Sequence, residues 1–202
     1  MSNKLLATLT AGTIGLVGAA TVIGANPAQA AGFSGSYAPS NWTFTNLNAD
    51  GFVDTSNAPE SITLTGGDNL SGAFGLTAYT TAAVNSLVSF NWNYNTQDVD
   101  GPFWDPFGFL NNGVFTQLTN SSGSNSQFGT YSTLVKAGDI FGFAVNTEDN
   151  IFGSGSVTIS NFEATQVPEP ASVLGLLAFG ALGAGAKLKR NKQQVVANSY
   201  LN

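Results

Sequence analysis

The chain has neither cysteine nor histidine in its 202 residues. Without cysteine there are no disulfides and no thiol chemistry, so a fold must rest on apolar burial and backbone pairing. Without histidine the usual general base, the usual zinc ligand and every Ser-His-Asp or Cys-His arrangement are excluded. Charge is scarce too, at 9% of residues, with six cations against twelve carboxylates. Five of those cations lie near the two ends, so residues 32–166 hold Lys136 alone against eleven carboxylates, a formal charge of −10. Such a segment repels nucleic acid and anionic lipid, both of which need a basic face. Nucleotide-phosphate loops, zinc spacings and metalloprotease signatures are absent. No stretch between Gly32 and Gln166 sustains helical periodicity.

What is present is Thr, Ser, Asn, Gly and Phe in short alternating runs, punctuated by Gly, Asn, Asp or Pro. The clearest run is LVSFNWNYN, Leu87 to Asn95, with Val88, Phe90, Trp92 and Tyr94 on one face and Ser89, Asn91, Asn93 and Asn95 on the other. That pattern predicts a half-buried antiparallel strand near the middle of a sheet. Further strands are expected at 42–47, 61–65, 74–80, 107–110, 114–118, 129–135, 140–145 and 156–162. In the last, Val157 and Ile159 alternate and Phe162 breaks the register, which predicts a bulge. Ser121 to Gln127 reads as a low-complexity loop. The fold class is therefore all-β, an antiparallel two-sheet sandwich of about nine strands, jelly-roll-like, flanked by an N-terminal signal helix and a C-terminal apolar helix.

Residues 1–30 read as a secretory signal: Lys4, an uncharged apolar segment, then Ala28-Gln29-Ala30 as a small-x-small site cut before Ala31. The sandwich domain is expected at 31–166. From Val167 to Lys192 follow Pro168-Glu169-Pro170, an uncharged apolar run to Ala186, and a basic cluster of Lys187, Lys189, Arg190 and Lys192; residues 193–202 are a polar tail. As a helix the apolar run would reach about 24 Å, close to the ~30 Å of a bilayer core. The cations would hold its end at cytoplasmic headgroups.

These three parts in order resemble the C-terminal sorting signal of PEP-CTERM proteins. The resemblance implies export past signal peptidase, transient anchoring in the inner membrane by the C-terminal helix, and processing by an exosortase-type enzyme. It also implies a final place at the cell surface or in an exopolysaccharide and biofilm matrix. Tails of that family usually stop soon after the basic cluster, whereas this chain runs on to Asn202. The stretch from Val88 to Phe162 loosely resembles exported sandwich domains found ahead of such tails, through its Phe-x-Trp-x-Tyr strand, its Asp-rich loop and Gly138 to Phe143.

Chemistry concentrates in the segment after the best strand, Tyr94 to Gly108. Asp98, Asp100 and Asp105 could converge on calcium through hard oxygen ligands, completed by Glu148 or Asp149 from another loop. An EF-hand is excluded, because placing Gly101 at position 6 puts Thr96 at position 1 and Phe107 at position 12. Phe103 and Trp104, with Asn111 and Asn112 beyond, offer the mixture of aromatic faces and amides that recognises sugars. The competing structural reading makes Asp100-Gly101 and Asp105-Pro106 turn formers, with Trp104 capping the core edge. The expected function is a non-enzymatic structural or binding protein of the cell surface or extracellular matrix, with extracellular polysaccharide as a candidate ligand. The alternatives are a secreted glycan hydrolase using paired carboxylates and a membrane-anchored scaffold whose tail is never processed.

Overall fold

The computed structural model describes residues 29–167. Both expected flanking helices lie outside them, as do Ala28, Pro168, Glu169, Pro170 and the Lys187, Lys189, Arg190 and Lys192 cluster. Among the described residues no helix is long and apolar enough to cross a membrane.

Among the described residues eleven strands form two antiparallel sheets. In chain order they are β1 (Gln29–Ala31), β2 (Thr43–Leu47), β3 (Phe52–Asp54), β4 (Ser61–Thr65), β5 (Gly75–Ala82), β6 (Ser86–Thr96), β7 (Phe107–Asn111), β8 (Val114–Gln117), β9 (Ser126–Val135), β10 (Ile140–Thr147) and β11 (Gly155–Gln166). The first sheet runs β3-β4-β11-β6-β9, with β1 also on β11, and the second runs β2-β5-β10-β7-β8. From β4 onward the chain alternates between sheets, except at β7 and β8, which form a hairpin within the second sheet. It then returns to place β10 between β5 and β7 and β11 between β4 and β6. That nesting is of the jelly-roll kind.

The expected strands are all present, and two were not anticipated. β1 and β3 are three residues each, too short to show a period and held only by their partners β11 and β4. The expected loop at Ser121 to Gln127 ends early, because Ser126 and Gln127 already pair with Asn95 and Tyr94. The bulge falls where Phe162 breaks the alternation: the β11–β6 register shifts between Ser160 and Glu163, and Asn161 sits at φ 48°. One extra residue there keeps Val157, Ile159, Phe162 and Ala164 all pointing inward and buried.

The core is aromatic. Val88, Phe90, Trp92 and Tyr94 on β6 meet Phe107, Phe109, Phe141 and Phe143 from the facing sheet. Trp42 is stacked between Tyr79 and Phe143, with ring centroids at 5.0 and 5.5 Å. Its indole N–H donates to the Tyr37 carbonyl at 3.0 Å. Two short 3₁₀ turns, at Gly35–Tyr37 and Pro39–Asn41, fold the chain back so that Phe33 and Tyr37 plug one end of the sandwich.

Candidate functional site

The outward face of the first sheet is built from residues that strand alternation leaves over when the aromatic face turns inward. From β6 these are Ser89, Asn91, Asn93 and Asn95; from β11, Ser156, Thr158 and Ser160; from β4, Ser61, Thr63 and Thr65. Register aligns them into rows. One row runs Asp54, Thr63, Thr158, Asn93, Phe128, and the next runs Phe52, Thr65, Ser156, Asn95, Ser126. Hydroxyls bridge neighbouring strands, Thr63 to Thr158 at 3.0 Å and Thr65 to Ser156 at 3.1 Å, and the Asn95 amide donates to Ser126 Oγ at 2.7 Å. Five strands about 4.8 Å apart make this face roughly 19 Å across. Its rows carry Asp54 at one edge and Glu163 beside the bulge, and no cation. Phe128 is opposite Asn93 and 84% exposed, so a full aromatic ring is presented among hydroxyls and amides.

That face was not singled out in the sequence, although a signal for it was there. Asn is depleted in strands, and three Asn at alternate positions of the 11-residue β6 need a reason beyond backbone preference. Phe128 gave no signal, because its outward direction depends on its register against Asn93.

A second cluster closes one end of the sandwich, where the loop from Gln97 to Pro106 meets the loop between β10 and β11. Asp98 and Asp105 are both completely buried. Asp98 Oδ1 accepts the Asp100 backbone N–H at 2.6 Å, and Asp105 Oδ2 accepts the Thr96 hydroxyl at 2.7 Å. Thr96 Oγ1 in turn accepts the Asp98 N–H at 3.0 Å, so one hydroxyl joins both aspartates. Tyr94 Oη donates to the Asp105 carbonyl at 2.8 Å. Burial pushes the Asp105 carboxyl up to about 7, against the lowering pull of the Thr96 hydroxyl, with the nearby charges of Asp98 and Asp149 adding to the rise. Asp98 is raised by burial as well, with Asp149 and Asp100 repelling it. The Tyr94 hydroxyl is also raised, first by burial.

The expected three-aspartate set is thereby corrected. Asp100 is exposed and contributes its backbone to an Asx turn rather than its carboxylate to the cluster. Glu148 is exposed, whereas Asp149 is half-buried and caps its own turn through Ile151 N–H. Among the described residues no three acidic side chains come close enough to hold a metal together. Missed at the sequence level were Thr96, Thr147 and Asn150, all buried. Asn150 staples three loops: its N–H donates to Thr147 Oγ1 at 2.8 Å, its amide donates to the Asn48 carbonyl, and its Oδ1 accepts Asn69 N–H.

The expected sugar-contact set is split. Phe103 and Trp104 form an edge-to-face pair at 5.3 Å in the acidic loop, Phe103 exposed and Trp104 half-buried. Asn111 and Asn112 lie at the other end of β7, about 17 Å of strand away. Asn112 is committed to the β7–β8 turn with Gly113, both at positive φ (51° and 79°) as a type I′ turn requires. Its side chain binds Asp139 and the Ile140 N–H.

Residues 166–190 match the PEP-CTERM protein-sorting motif. No curated protein matches the chain by sequence. Among solved structures, the chain is similar to a family 11 carbohydrate-binding module of Clostridium thermocellum in complex with a mixed-linked tetrasaccharide. That match has 12% identity and a TM-score of 0.37, over 64% of this chain and 91% of that one. It is also similar to a family 29 module complexed with cellulohexaose (11% identity, TM-score 0.39, 70% and 92%). A third similarity is to a module from a Cellvibrio mixtus lichenase in complex with cellotriose (11% identity, TM-score 0.31, 71% and 99%).

Proposed function

We propose that this chain, which carries a PEP-CTERM sorting motif, is an exported, non-catalytic surface or matrix protein that holds an uncharged polysaccharide against the outer face of the β3-β4-β11-β6-β9 sheet. Exosortase-type processing and transient membrane anchoring belong to the same proposal and rest on the motif. The glycan part is carried by one observation: Phe128 stands 84% exposed at the end of the Thr63–Thr158–Asn93 row. An aromatic ring covers the apolar C–H face of a sugar, while amides and hydroxyls donate to and accept from its hydroxyl groups. The segment's charge of −10 repels anionic chains, so the polysaccharide is neutral.

The paired-carboxylate hydrolase finds less support. Asp98 and Asp105 are sealed from solvent. Glu60 and Glu163 share a shallow groove of about 350 Å³ beside β1, but both side chains are exposed rather than set across a cleft from one another.

Retention on immobilised neutral polysaccharides (a β-glucan and a mannan) and on an anionic one tests the proposal. The native chain is expected on at least one neutral matrix. Losing most of a buried Phe side chain, worth ~1.5–3 kcal/mol, should weaken binding of Phe128→Ala about tenfold or more. Trp104→Ala should bind as the native chain does. Equal retention of Phe128→Ala, or loss with Trp104→Ala instead, removes the sheet face as the site.

A further inference from the structure

We propose that Asp98 and Asp105 form a buried site for a hard divalent cation, calcium by preference, which ties the loop after β6 to the loop between β10 and β11. Asp98 Oδ2 and Asp105 Oδ1 are both buried with no donor in hydrogen-bonding geometry, on side chains with no exposed surface, although the Thr147 hydroxyl lies close enough to Asp105 to act on its carboxyl. Each residue's other oxygen is already taken, by Asp100 N–H and by the Thr96 hydroxyl. A buried polar oxygen without a donor is costly, and a buried carboxylate without a counter-charge more so. Among the described residues no cation supplies that charge. Lys136 is the only Lys or Arg among the described residues and sits just past the far end of β9, about 30 Å of strand from the end that pairs with Asn95.

Two carboxylates neutralise one divalent ion. The donors are all hard oxygens, which suits calcium over the softer transition metals. Thr147, fully buried beside Asp105, adds a hydroxyl to the cluster. Calcium accepts six to eight ligands in adaptable geometry, so backbone carbonyls and water can complete the shell, whereas magnesium demands near-octahedral order. The second loop is packed closely enough to feel such an ion. A Cβ added at Gly155 would lie 2.8 Å from Asp105 Cβ, and one at Gly153 would lie 2.6 Å from the Gln97 carbonyl. Asp149, in the same loop, adds its charge from a half-buried position.

The test is thermal unfolding of the full chain at pH 7.5 after chelation, with calcium or magnesium added back, alongside terbium luminescence excited through the aromatic side chains. Calcium at about 1 mM, the range of extracellular calcium modules, should raise Tm by roughly 5 °C; magnesium should do less, and calcium should displace terbium. Asp98→Asn and Asp105→Asn should fold, with a metal-free Tm at or above that of the native chain, because a neutral isostere removes the buried charge, and both should lose the calcium response. Asp100→Asn should keep it. A native Tm indifferent to calcium at pH 7.5 overturns the proposal, and the pair then holds a proton. So does a calcium response that survives in Asp98→Asn and Asp105→Asn or disappears in Asp100→Asn.

Discussion

Trp42 and Asp105 show how differently single side chains act in this domain. Trp42 stacks on two rings and closes its N–H on the Tyr37 carbonyl. Trp42→Ala should cost about 3–5 kcal/mol in urea unfolding, the usual range for deleting a buried aromatic. Trp104→Ala, at a half-buried position, should cost about 1 kcal/mol. A Trp42→Ala loss below about 2 kcal/mol would mean the end of the sandwich relaxes around the gap. Asp105 acts through pH. Its carboxyl is raised in the folded chain to about 7 from an ordinary 3.8, so between those values the folded state binds a proton that the unfolded state has released. Stability of the chelated chain is therefore greatest below about pH 4 as far as this group is concerned, and falls as pH rises toward 7. Asp105→Asn should flatten that fall in a Tm-versus-pH series, and an unchanged slope would place the effect elsewhere. Part of this was legible in the chain: alternation alone placed Phe90, Trp92 and Tyr94 inside. The pairing of Asp98 with Asp105 rather than with Asp100 was not legible, because an Asx turn uses the i+2 residue's N–H and directs its carboxylate outward.

β11 has the most demanding geometry of the strands, since it pairs with β4, β6 and β1 and changes register midway. Asn161 absorbs the change at φ 48°, a region open to Asn and Gly but costly for β-branched residues. Asn161→Gly should be within about 0.5 kcal/mol of the native chain, while Asn161→Val should lose about 1–2 kcal/mol in the same urea experiment. Similar stability for the two variants would show that the bulge is set by Phe162 packing rather than by Asn161. This bulge could be read from sequence because two inward residues in β11, Ile159 and Phe162, are spaced by three instead of two. β1 and β3 could not, since three residues show no period and their partners lie 100 or more residues away or across a turn. The same limit hid the outer face: the Asn positions follow from alternation within β6, but Phe128 joins them only through a cross-strand register.

The chain enters and leaves the sandwich at one place. Gln29 and Ala30 pair with Thr165 and Ala164, and β11 ends at Gln166, where the sorting motif begins. The expected signal-peptidase cut, between Ala30 and Ala31, therefore falls inside a paired strand. Proteases bind their substrates as free extended chain, and here Ala30 is already hydrogen-bonded into a sheet ladder. Cutting at that bond must precede the docking of β1 on β11, which is the last strand to be made. Removal of the signal during export would then leave Ala31 as the one residue of β1 still paired, opposite Glu163. Two outcomes follow. The folded full-length chain should resist purified signal peptidase, while a peptide spanning residues 20–40 should be cut before Ala31. Mass spectrometry of the exported protein should find Ala31 at the N-terminus and a C-terminus close to Pro170. Rapid cleavage of the folded chain would show that β1 opens freely, and an exported form retaining Asn202 would mean that the motif sorts without being processed.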